Sequence, residues 1–148
     1  MRLACVCLLA GGVVLPAPAA EPDAAAKDRK AFQGEWAVEA LEYNGKDLKD
    51  KYNISFHCKD DVLTVQGDGA VRKEYAKLTF KLDPSTTPKC VDLTVAGGVQ
   101  KDAKLEGIYE LKGDELRLCV KVFGGDRPTE FKSPAGASIA LLTLKRKK

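Results

Sequence analysis

The 148-residue chain reads as an all-β domain: an antiparallel up-and-down barrel of about eight strands behind a short N-terminal helix. Three observations predict it. From Gly34 onward, apolar and polar residues alternate with a period of two, the spacing of a half-buried strand. The alternating runs are short and are joined by Gly, Asp, Asn and Pro connections, which mark a meander. Each run has a single apolar face, so the sheet must close on itself or stack on another, and closure leaves no edge exposed. A two-sheet sandwich satisfies the same parity, and alternation alone does not separate the two.

The elements follow in order. Residues 1–19 read as a cleaved export signal, with Arg2 as the positive start, an apolar run over residues 3–15, and "PAPAA" placing Ala17 and Ala19 at the cut. Cys5 and Cys7 precede most of that run, unlike a lipoprotein cysteine, and are discarded with it. Residues 20–32 form a leader and short helix, "AEPDAAAKDRKAF", with Asp23 as N-cap and Gly34 as the stop; its first half, 20–26, is expected to be a flexible leader. The domain proper spans 33–148. Trp36, Val38 and Ala40 share one side of the first strand, and "NGK" turns the chain before Ile54, Phe56 and Cys58 alternate again. "VLTV" follows a turn at residues 59–61, then come Ala76, Leu78, Phe80 and Leu82 against Tyr75, Lys77, Thr79 and Lys81. After the "DPSTTPK" loop, Val91, Leu93 and Val95 oppose Asp92 and Thr94; Leu105, Tyr109 and Leu111 form the next face; "KGDE" makes a tight hairpin into Leu116, Leu118, Val120 and Val122. "IALLTLKR" is the last strand.

Composition excludes several functions. The net charge is +3, with 24 Lys and Arg against 21 Asp and Glu. Arg2 belongs to the signal and four basic residues sit in the terminal "KRKK", so the folded body is close to neutral. It lacks the basic, aromatic-lined face of a nucleic-acid binder, and the tail reads as a solvated end. No second run is long enough to span a membrane. His57 is the only histidine, which rules out a multi-histidine zinc site, and no Gly-x-Ser-x-Gly elbow is present. Asp60, Asp61, Asp68, Asp114 and Glu115 lie in turns, where carboxylates have local hydrogen-bonding work. "DDVLTVQGDG" lacks the ligand spacing of a calcium loop. Thus no catalytic residue, metal or cofactor is assigned. Asp92 sits mid-strand, either on the solvent side or as a polar anchor in a lumen. Three cysteines remain; parity leaves Cys90 with Cys119 as the one plausible bridge, with three separate packing thiols as the alternative.

The segments "QGEW", "PKCVDLTV", "GIYELKGDELRLCV", "RPTEF" and "LLTLKR" resemble, in that order over residues 33–146, a family of uncharacterised secreted domains abundant in planctomycete bacteria. The resemblance implies secretion and a lipocalin-like, calycin-type barrel, and it brings no activity with it. Lipocalin-like barrels begin with Gly-x-Trp after a short helix, as in Gly34-Glu35-Trp36. By that resemblance the Trp36 ring seals the closed end beneath a basic side chain, with Lys145 or Arg146 in that role, Arg127 as competitor, and Phe131 nearby. A cation over an indole contributes roughly 0.5 to 2 kcal/mol. The second lipocalin motif has only a loose echo in Thr129-Glu130-Phe131, one connection later than expected.

The expected function is therefore an exported, non-enzymatic, periplasmic or extracellular barrel holding a small apolar or amphipathic ligand. Phe56, Phe80, Asp92, Leu93, Tyr109 and Leu118 are the lumen candidates. An eight-stranded barrel leaves room for packed side chains or at most one small ligand. The alternative is an interaction or protease-inhibitor-like module that meets an extracytoplasmic protein through loops such as "DPSTTPK" or "FGGDRP".

Overall fold

The computed structural model describes residues 22–67 and 69–147; the expected signal segment and Asp68 lie outside them. A helix, α1 (Pro22–Phe32), leads into β1 (Gly34–Tyr43). It starts at Pro22, one residue ahead of the Asp23 expected to cap it. Eight further strands follow: β2 (Lys46–Asp47), β3 (Ile54–Lys59), β4 (Val62–Gly67), β5 (Lys77–Asp83), β6 (Lys89–Gly97), β7 (Lys104–Lys112), β8 (Glu115–Lys121) and β9 (Ile139–Arg146). Each long strand pairs antiparallel with its neighbours in sequence, and β1 also pairs with β9 from Trp36 to Tyr43. That last ladder closes the sheet, so the sandwich alternative falls and the chain is a lipocalin-like barrel. The short β2 folds back on the end of β1 through Asn44 and Gly45, whose φ values of 51° and 77° make a tight hairpin turn.

Alternation places the core as expected along most strands. Ile54, Phe56, Cys58, Leu63, Val65, Leu78, Phe80, Leu82, Val91, Leu93 and Val95 are all buried. The first strand departs from the simple pattern. Glu39 is an extra residue between the pairs Val38–Leu144 and Ala40–Thr143; this bulge resets the parity, so Leu41 is buried and Ala40, expected inside, is exposed. A second departure is α2 (Ala70–Glu74), a one-turn helix between β4 and β5 where a loop was expected.

The two ends of the barrel differ. At the base lie α1 and the turns at residues 60–61, 84–88 and 113–114. At the mouth lie β2, the 48–53 loop, α2, the 98–103 loop and the start of the long connection to β9. Phe32, the last residue of α1, is driven into the base: its ring stacks on Phe80 at 5.4 Å and meets Tyr109 edge-on at 5.3 Å. Asp28, one turn earlier, accepts from the Tyr109 hydroxyl (2.6 Å) and the Lys89 ammonium (3.0 Å) and so ties the helix to β6 and β7.

Cys58, Cys90 and Cys119 are free thiols. Cys90 and Cys119 each oppose Ile108, one from either side, in a row across β6, β7 and β8. Two strand spacings, roughly 10 Å, separate them, too far for a disulfide, so the expected bridge is corrected. Ile108 and Cys119 face outward yet are buried. The connection after β8 lies over them, and the Cys119 thiol meets the carbonyls of Glu130 and Lys132.

Candidate functional site: a half-plugged barrel

Trp36 is 1% exposed, and its indole Nε1 donates to the Phe32 carbonyl at 2.8 Å. The Arg146 guanidinium lies 4.4 Å from the ring centre; it donates to the carbonyls of Gln33 (2.6 Å) and Ala31 (2.5 Å) and to Asp114 (3.2 Å). Register explains why Arg146, not Lys145, takes this place. Arg146 is directly opposite Trp36 and shares the parity of the buried Leu142 and Leu144. Lys145 faces out, 4.0 Å from Glu39. Arg127 and Phe131 do not take this place either. Arg127 lies on the outer wall, donating to the carbonyls of Val91 (3.0 Å) and Gly107 (2.7 Å) and to Asp92 (2.5 Å). Phe131 sits under the Arg117 guanidinium at 4.6 Å.

Above the plug the barrel is hollow. A cavity of about 280 Å³ opens at the mouth. The boundary runs through three cross-strand pairs, Trp36–Phe56, Phe80–Leu93 and Tyr109–Leu118. In each pair the second residue lines the cavity and the first belongs to the plug. Of the lumen candidates, then, Phe56, Leu93 and Leu118 line the space, while Phe80 and Tyr109 are spent on packing Phe32. Asp92 is corrected outright: it points outward and pairs with Arg127.

The wall is completed by Leu41, Ile54, Leu63, Val65, Leu78, Leu105, Val120, Ala140 and Leu142. At the mouth the lining gains Leu48, Tyr52, Val71, Glu74 and Tyr75, none of them expected from the sequence, together with Tyr43, Val122 and Phe123. The signal that could have found them is local. Leu48 and Tyr52 are four apart, as are Val71 and Tyr75, and each pair is closed by a backbone bond from the second residue's N–H to the first residue's carbonyl (3.1 and 2.8 Å). One helical turn brings both side chains of each pair to the same side.

Polar chemistry in the cavity is confined to its rim. Among the described residues, neither the Tyr43, Tyr52 and Tyr75 hydroxyls nor the Glu74 carboxylate makes a side-chain hydrogen bond. Burial first, and then Glu74 and Tyr43, push the Tyr75 phenol above its ordinary value. Also among the described residues, no group of three His, Cys, Asp or Glu side chains is placed to hold a metal ion, and no helix is long and apolar enough to cross a membrane. The arrangement can enclose an apolar body and hydrogen-bond a polar group at its outer end.

Fold and site together define a lipocalin-like barrel that is plugged below and open above to an apolar chamber. No protein-family model matches the chain, and no curated protein matches it in sequence.

Proposed function

We propose that the chain is an exported, non-enzymatic carrier that binds one small apolar or amphipathic molecule in the upper half of its barrel. The observation that carries this reading is the open cavity of about 280 Å³ with an almost wholly apolar wall. An apolar cavity of about 150 Å³ suffices for benzene, so this one suits a ligand of roughly ten to twelve heavy atoms. Burying about 200 Å² of its apolar surface contributes roughly 5 kcal/mol. Lost translational freedom offsets part of that, which favours micromolar affinity or weaker over very tight binding. The basic start, apolar run and small-residue cleavage site of residues 1–19 support export.

Native mass spectrometry of the protein purified from its own host tests the reading. A bound small molecule that is released on unfolding and is absent from a cavity-filled Leu118→Trp variant is the expected result. A chain that carries only a co-purified protein would favour instead an interaction surface at the mouth, where Val99 and Phe123 are 71% and 54% exposed.

A further inference from the structure

On the carrier reading above, we infer that the cavity selects amphipathic ligands with a hydrogen-bond-donating head, an alcohol or an amine, and discriminates against carboxylates. A ligand with its apolar body against Phe56 and Leu118 has its head among Tyr43, Tyr52, Glu74 and Tyr75. An ionised carboxylate only accepts hydrogen bonds, whereas phenols donate or accept. Among the described residues, Glu74 is the one charged residue of the lining, and no lysine or arginine lines the cavity. An anionic head would therefore enter a weakly solvated space beside a like charge, with no cation in the wall to offset it.

The rim cations are engaged elsewhere or exposed. Lys51 is exposed to solvent, its ammonium 5.4 Å from the centre of the Tyr52 ring. Arg72 donates to the Gly67 carbonyl at 3.4 Å, and Lys73 is exposed. Tyr43, Glu74 and Tyr75 line the cavity together, and the Tyr75 phenol is raised first by burial and then by Glu74 and Tyr43. The backbone holds Glu74 in place as well: its carbonyl accepts from the Gln100 N–H at 3.1 Å.

Isothermal titration of the mature protein at neutral pH with decylamine, decan-1-ol and decanoate separates headgroup from tail. The amine and alcohol are expected to bind at least about tenfold more tightly than decanoate, a difference of about 1.4 kcal/mol. Glu74→Gln should narrow that gap, and Val71→Lys, which adds a cation to the same rim, should reverse it. Decanoate binding as tightly as the alcohol, or an order unchanged in both variants, would overturn the headgroup inference while leaving the carrier reading in place. Failure of all three compounds to bind would overturn both.

Discussion

Arg146 stands directly across the β1–β9 ladder from Trp36, and its guanidinium reaches the carbonyls that end α1 as well as the indole face. Its fork matters more than its charge, because a lysine ammonium cannot bond two carbonyls while lying flat on a ring. Arg146→Ala should lower the unfolding free energy by roughly 2 to 3 kcal/mol, and Arg146→Lys should recover less than half of that in urea titrations. Four other groups set the alkaline limit, among them the Cys119 thiol, raised first by burial. The Cys58 thiol is pushed up from 9.0 to about 12, mainly by burial. The phenols of Tyr75 and Tyr109 are also raised above 10.0, again first by burial, with the Asp28 contact adding to Tyr109. The fold favours the protonated form of each, so their contribution is intact below pH 9 and is lost as pH rises from there through the folded values. The urea midpoint should therefore be flat up to about pH 9 and fall above it, less steeply in Tyr109→Phe. Much at this scale was legible: the resemblance carried by Gly34-Glu35-Trp36 points to Trp36 beneath Lys145 or Arg146, and the β1–β9 register decides for Arg146. The pairing of Arg127 with Asp92 and the place of Phe131 were not, because a sequence does not say where a long connection is laid back over the outer wall.

The elements explain which parts of the site could be read and which could not. Period-two alternation gives strand faces but passes over a bulge, since the extra Glu39 becomes visible only when β9 pairs beside it. It also passes over single helical turns, which are too short to establish a period of their own. Those turns shape the mouth. α2 is held by the 98–103 loop, where Val99 and Gln100 donate to the carbonyls of Lys73 and Glu74 (both 3.1 Å). Gly98 makes that approach feasible: its φ is 107°, and a Cβ there would lie 2.4 Å from the Glu74 carbonyl oxygen. Gly98→Ala should thus cost roughly 2 kcal/mol and weaken alcohol binding several-fold by shifting Glu74 and Tyr75. Thermal denaturation and the titration described above measure the two effects. Phe32 was hidden for a different reason. The composition of residues 20–32 predicts a short helix, but the ring partners of Phe32, namely Phe80 and Tyr109, are distant in sequence.

Across the whole molecule, one ladder turns a meander into a container: β1 pairs with β3 near its start and with β9 over most of its length. The barrel class was legible because one apolar face per strand leaves few ways to bury it. Its division into a filled half and an empty half was not, since an inward parity assigns Phe80 and Leu93 alike to the lumen. Only the insertion of Phe32 under the sheet decides between them, and it leaves about 280 Å³ open above. Methyl NMR on decan-1-ol titration tests this division most directly. Dose-dependent shifts are expected at Ile54, Leu63, Val65, Leu93, Leu105 and Val120 around the chamber, with Leu116 and Leu144 in the base unmoved. Shifts centred on Leu116 and Leu144, or spread over exposed residues such as Val99 with none in the chamber, would contradict it.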